Sequence, residues 1–259
     1  MSVPVAFTII RMRRGWAGLQ RRDGLKQIGI VVASVCAYEV LRMLIHPNWA
    51  AAMENGKRIA ALERGLDFAW EQSVQRAFLG LPELVEAMNV FYFVGHFVLT
   101  GIFFFWLYHR SRDGFRSFRN GFLAATAIAF FIHWQFPTAP PRLLTGLGVE
   151  DTLRVFSNID IGSPKESAFS NPVAAVPSLH AGWAVGVGAG LVRYAERRWL
   201  MVLGVLYPVA VLLTIVVTGN HFIFDALAGV AVLAAGFLIA NLPRIRRRTL
   251  AKASLAMPS

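Results

Sequence analysis

Three short stretches of this chain carry side chains suited to holding a phosphate and moving it. The first is Pro137-Thr138-Ala139-Pro140-Pro141-Arg142. Prolines end a helix and stiffen the chain that follows, so Arg142 is held in place, and its guanidinium is a planar fork that fits phosphate oxygens. The second is Val176-Pro177-Ser178-Leu179-His180. Ser178 suits a helix N-cap after the proline. The free N–H groups and positive dipole end of such a helix attract an anion, with His180 in the first turn. The third is Thr218-Gly219-Asn220-His221-Phe222-Ile223-Phe224-Asp225. His221 and Asp225 are four apart, hence neighbours on one helix face, and a carboxylate there holds the imidazole tautomer and stabilises its cation. Each stretch has a plainer reading: an interfacial anchor for Arg142, a cap beside an interfacial histidine for Ser178 and His180, a chance pair for His221 and Asp225.

The elements that position these residues follow from composition. Of the 259 residues, 56% are hydrophobic and 16% charged, with a mean hydropathy of +0.51. Soluble domains carry about a quarter charged residues, so the chain reads as a membrane protein. Six apolar stretches approach the roughly 20 residues that cross a bilayer: 27–45, 89–108, 121–136, 178–191, 199–217 and 222–242. The first lacks a small-residue cleavage site and reads as a permanent helix. Basic residues sort by side, with 18 of the 26 in the N-terminal tail, the second and fourth connections and the C-terminal tail, and seven in the other connections. By the positive-inside rule both termini are cytoplasmic. The formal charge of +11 then divides into +15 inside, −3 outside and −1 within the spans, so it is an address rather than a ligand surface. A nucleic-acid partner is disfavoured, because this charge is spread over four segments with little aromatic interleaving.

The expected architecture is an all-α membrane protein with six transmembrane helices in one bundle. Residues 1–26 and 243–259 are basic cytoplasmic tails, and 27–242 form the membrane domain. In the first outer segment, 46–88, Leu62, Leu66, Phe68 and Ala69 amid charged residues predict a helix lying at the interface or packed on the bundle. The second outer segment, 137–177, is rich in Pro, Ser, Gly and Asn and is expected to be irregular and functional. Cys36 is the sole cysteine, which excludes an intrachain disulfide and a cysteine-based metal cluster. The glycines of the fourth span, Gly182, Gly186, Gly188 and Gly190, permit close helix packing. Glu39 and Arg42, three apart in the first span, are placed to pair.

Topology brings the three stretches together. The third span exits outward and the fourth and sixth enter from outside, so Arg142, His180 and His221 lie at one membrane face. An ionisable Asp225 within an apolar span marks function. Two histidines and an arginine at a helix-terminus anion site suit phosphoryl transfer without metal. One histidine attacks phosphorus, the other protonates the departing oxygen, and the arginine neutralises the equatorial oxygens.

On these residues the chain resembles the type-2 phosphatidic acid phosphatase superfamily, which also contains the vanadium haloperoxidases. Its signatures are Lys-x6-Arg-Pro, Pro-Ser-Gly-His and Ser-Arg-x5-His-x3-Asp. The matches are Arg142, then Pro177, Ser178 and His180, then His221 and Asp225. Leu179 replaces the glycine, Arg142 is preceded rather than followed by proline, and Ile215 stands at the third signature's arginine. Those departures are similar to the inositol phosphorylceramide synthase-like branch, as are Asn89, Tyr92 and His96 on the second span. The resemblance spans about residues 50–240. It implies His221 as nucleophile, Asp225 as its orienting partner, His180 as the acid for the leaving group, and Arg142, Ser178 and Asn220 as phosphate ligands. Lys165 or Arg154 is a candidate to compensate for the missing arginine, against the plainer reading of a solvated charge, and Asn89, Tyr92, His96 and His133 are candidates to line the lipid cavity, although His96 and His133 also suit internal hydrogen bonds. The implied protein is a phosphatase for lipid phosphates, or a phosphotransferase to an alcohol acceptor, without metal or cofactor, in a bacterial plasma membrane with an extracytoplasmic site. A transporter or scaffold is the non-enzymatic alternative. The haloperoxidase activity is disfavoured, because those members are soluble.

Overall fold

A computed structural model describes the backbone of residues 4–44, 48–157 and 172–255, and the side chains of 23–43, 48–157 and 172–242. Residues 1–46 form one compact unit and 47–259 a second. The first unit is the helix α1 (Pro4–Leu44). Its apolar part, Asp23–Met43, is long enough to cross a bilayer, and within it Arg42 donates to Glu39 at 2.7 and 2.9 Å. The helix continues through the basic residues before it, whose aliphatic stems are good helix formers.

The second unit contains nine α-helices and no β-strand among the described residues. Asn48 caps α2 (Trp49–Gly65), accepting the Ala51 N–H at 3.0 Å. The short α3 (Glu71–Arg76) follows. Helices α4 (Pro82–Val90) and α5 (His96–Arg110) join through a π turn at Phe91–Gly95 into one helical stretch. Ser111 caps α6 (Arg112–Gln135) through the Gly114 N–H, so this helix begins nine residues before the apolar stretch at 121. Then come α7 (Thr152–Ser157), α8 (Leu179–Tyr194), α9 (Arg198–Val217) and α10 (Ile223–Leu255).

Among the described residues, four helical segments are long and apolar enough to span a membrane: Asp23–Met43, Pro82–Arg110, Arg198–Val217 and Ile223–Leu242. Two of the six expected spans fall short of that measure for identifiable reasons. The first third of α6 carries Arg112, Asp113, Arg116 and Arg119. α8 has 16 residues, about 24 Å at 1.5 Å per residue, against a hydrocarbon core of about 30 Å.

Within the unit α10 packs on α6 and α8, and α8 on α9. An aromatic core of Phe103, Phe115, Phe118 and Phe122 fills the space between α5, α6, α8 and α10 with Val187 and Leu233. The outward faces remain apolar, as at Ile102, Phe105, Leu206 and Leu238. Apolar residues inside and out are the signature of a helix bundle in lipid, and the chain is a membrane protein. The glycines of α8 do pack closely: a Cβ on Gly182 would stand 2.7 Å from the Gly229 carbonyl oxygen, and one on Gly229 would collide with the backbone of Ser178. That approach lets the Ser178 N–H donate to the Asp225 carbonyl at 2.9 Å.

The first of the two segments expected outside is helical, with a buried stripe of Ala52, Gly56, Ile59, Ala60 and Glu63 packed toward residues 137–144 and Phe222. Leu62, Leu66 and Trp70 are exposed. The second of those segments, 137–177, is mostly irregular where described. A 3-10 turn at Pro141–Leu143 and α7 interrupt it, and a bridge between Thr138 and Ala174 ties its ends.

Candidate active site

The site forms where α8 and α10 begin, under the loop carrying Arg142. Gly219, at φ +67°, makes a turn that a side chain would strain. After it the N–H groups of Asn220 and His221 both donate to the Ile215 carbonyl, at 3.1 and 3.2 Å. The turn therefore delivers His221 to the stretch just before α10. Ile215 itself, at the position of the missing arginine, is wholly buried in an apolar cluster with Val211 and Ala226.

His221 is 4% exposed. Its Nδ1 lies 3.0 Å from the Ala175 carbonyl and 3.3 Å from Asp225 Oδ2. Both partners accept, so Nδ1 carries the proton and Nε2 keeps its lone pair. The Tyr92 hydroxyl faces Nε2 at 3.4 Å. Burial holds this imidazole well below its ordinary value, at about 4, and Arg142 adds to the depression while the Ala175 carbonyl opposes it. Asp225 is fully buried, and its Oδ2 also takes the Phe222 N–H at 2.9 Å.

His180 stacks on Tyr92, with ring centroids 4.1 Å apart and planes at 16°, and its centroid is 5.8 Å from that of His221. Its Nε2–H donates to the Tyr92 carbonyl at 3.2 Å. Ser178 caps α8, its hydroxyl accepting the Ala181 N–H at 3.3 Å. The Arg142 side chain, 3% exposed, gives Nε to Asn220 Oδ1 and one terminal nitrogen, Nη1, to Asp151 Oδ2, each at 2.9 Å. Its own N–H donates to the Gly219 carbonyl at 3.0 Å. Two neighbours thus fix the plane of the guanidinium, and Nη2 is left for an oxyanion.

The structure gathers His221, Asp225, His180, Tyr92, Arg142, Asn220 and Ser178 around the ends of α8 and α10. His96 stands one ring further in, its centroid 4.9 Å from that of His180 and its Nδ1 bonded to the Tyr207 hydroxyl at 2.8 Å. His133 holds the Pro177 carbonyl at 3.1 Å, bracing the segment that leads into Ser178. Asn89 is placed elsewhere: its amide is bonded to Thr152 and Ser157 and secures α7. Arg154 is exposed on α7, and Lys165 lies outside the described residues.

Several contributors escaped sequence reasoning. Asp151 fixes Arg142. Gln75, fully buried, donates to the Val217 and Glu150 carbonyls and accepts the Glu150 N–H, which ties α3 and the loop at Glu150 to the end of α9. Glu63 and Glu71 take the N–H groups of Phe224 and Ile223. Glu63 had a readable signal, because it falls on the apolar stripe of α2. Gln75 and Glu71 act through backbone groups far away in sequence.

Comparison with known proteins adds one finding: a model of the PAP2 superfamily matches residues 57–239. No curated protein and no solved structure matches the chain.

Proposed function

The chain belongs to the PAP2 superfamily and is a phosphoric-ester hydrolase or phosphotransferase of the membrane, and from that premise we propose a metal-independent lipid-phosphate phosphatase working through a phosphohistidine. The observation that carries this reading is the state of His221. Its Nδ1 proton is spoken for by Ala175 and Asp225, and its Nε2 lone pair is directed into a site where Arg142 is already anchored.

In this scheme the phosphate lies between Nε2 of His221, Nη2 of Arg142 and the first turn of α8, whose leading N–H groups a helix leaves unpaired. Nε2 attacks phosphorus, and the bond to the lipid oxygen breaks as His180 protonates that oxygen. The His180 Nε2–H is held by the Tyr92 carbonyl, so His180 enters this step as an imidazolium, protonated on both nitrogens, and the proton that moves is the one on Nδ1. Arg142 balances charge on the equatorial oxygens, the task that a metal ion performs elsewhere. Asp225 keeps the Nδ1–H in place and stabilises the positive charge of the phosphoimidazolium. Water, deprotonated by His180, then attacks phosphorus, and the P–Nε2 bond breaks to release inorganic phosphate.

The same intermediate serves transfer when an alcohol resolves it, and the near-complete burial of His221 and Asp225 favours that second reading by limiting access of water. The synthase-like branch fits it too, and the product formed with and without an alcohol acceptor separates the two. With α6 and α8 counted as spans, the chain crosses the membrane six times, both termini are cytoplasmic, and the site opens on the extracytoplasmic side of a bacterial plasma membrane. The test is phosphate release from lipid phosphates by purified protein in EDTA, with acid-labile labelled phosphate trapped on the chain. His221→Gln is expected to abolish both release and label in a protein that still folds, and retained turnover by that variant overturns the assignment.

A further inference from the structure

The helix carrying Asp225 starts with N–H groups that have no partners of their own. Here the N–H groups of three successive residues each meet a carboxylate. Phe222 donates to Asp225 at 2.9 Å, Ile223 to Glu71 Oε1 at 2.9 Å, and Phe224 to Glu63 Oε1 at 2.7 Å. Glu63 and Glu71 come from α2 and α3, more than 150 residues away, and are 0% and 5% exposed.

Three anions at one helix end exceed what its dipole balances, which is about half an elementary charge. Two carboxyl groups that share a buried site relieve the excess by keeping a proton between them. Glu63 Oε2 has no donor among the described residues, and Glu71 stands beside it, holding the N–H next to the one Glu63 holds and lining the same cleft. Burial pushes Glu63 up to about 8, with Glu71 and Asp225 adding to the rise and the Phe224 N–H opposing it. A cleft of about 260 Å³ reaches both acids from outside and is lined also by Arg64, Gln72, Pro141 and Phe222, so the proton exchanges with solvent.

We propose that Glu63 and Glu71 form a proton-sharing carboxyl pair that clamps the start of α10 and so positions His221 and Asp225. The pair does not touch substrate. It fixes the two residues following Phe222, and through them the angle at which Asp225 meets the imidazole. Losing the shared proton places a second full charge beside Glu71 and Asp225, and repulsion loosens the clamp. This rests on the roles proposed for His221 and Asp225.

Glu63→Gln tests the pair. The amide oxygen keeps the Phe224 N–H, the amide NH₂ stands in for the shared proton, and position 63 no longer titrates. In wild-type protein kcat is expected to fall above about pH 8 with KM little changed, and the ratio of kcat at pH 9 to kcat at pH 7 is expected to be several-fold higher in Glu63→Gln. A second readout needs no turnover. A carboxyl raised in the folded state lends stability that is full at low pH and is lost as pH rises toward its folded value. The thermal midpoint of wild-type protein in detergent should therefore decline from about pH 4.5 to about pH 8 relative to Glu63→Gln. Glu63→Leu, which leaves the Phe224 N–H unpaired, should lower kcat more than tenfold at every pH. Identical pH profiles of wild type and Glu63→Gln in both readouts overturn the proposal, as does wild-type kcat in Glu63→Leu. Wild-type protein without phosphatase or transferase activity overturns the functional reading instead, and the thermal readout still decides the pair.

Discussion

Arg142→Lys separates two ways in which this residue can serve the site. If only its positive charge matters, lysine preserves the function. The structure argues otherwise, because Nε and Nη1 are engaged by Asn220 and Asp151 and only Nη2 remains for substrate. A lysine ammonium is a point charge on a flexible stem. It can pair with Asp151 and leave the phosphate, or face the phosphate and leave Asp151 and Asn220 unpaired in a buried place. Either choice forfeits at least one charge-assisted hydrogen bond, worth about 1.5–3 kcal/mol. At about 1.4 kcal/mol per tenfold, kcat/KM should fall roughly 10- to 150-fold. The assay is kcat/KM with a short-chain lipid phosphate in detergent, alongside inhibition by vanadate, a phosphate mimic whose affinity should drop in parallel. A thermal midpoint near wild type shows that the loss is local. An Arg142→Lys enzyme within threefold of wild type in both measurements refutes the fork argument and reduces Arg142 to a source of charge.

Two further outcomes follow from the same geometry. His221 must be neutral to attack, and burial lowers its value to about 4, so kcat/KM corrected for substrate ionisation should hold down to pH 5. There an ordinary imidazole at 6.5 would be only about 3% neutral and the rate about 30-fold lower; an acid limb centred near 6.5 contradicts this environment for His221. Gly229→Ala drives a methyl group into the Ser178 backbone and parts the starts of α8 and α10, and a displacement of about 1 Å costs on the order of 100-fold in rate. The expected result is a large fall in kcat in folded protein with phosphate affinity reduced less, and undiminished kcat means that the helix contact does not set the site.

The helices were legible because apolar length is a local property, and a turn ends α9 where expected, at Gly219, whereas α1 begins at Pro4 rather than 27 and α10 runs to Leu255 rather than 242. α6 ran long because Ser111 sets its start, and a capping serine is a weaker signal than a hydrophobic run. The residues now grouped around His221 were legible for a different reason: a histidine, an arginine and a capped helix start are rare on an apolar chain, and topology alone brings them to one face. Their supports obey neither rule. Glu71 and Gln75 act on backbone groups 75 to 152 residues away, and no periodicity encodes such a partner. Glu63 is the instructive exception. Ala52, Gly56, Ile59 and Glu63 share one face of α2, and a carboxylate on a stripe about to be buried is costly unless something inside the fold needs it. An acid on the wrong face of an amphipathic helix therefore points inward, toward donors supplied by another segment, and here those donors sit within three residues of His221.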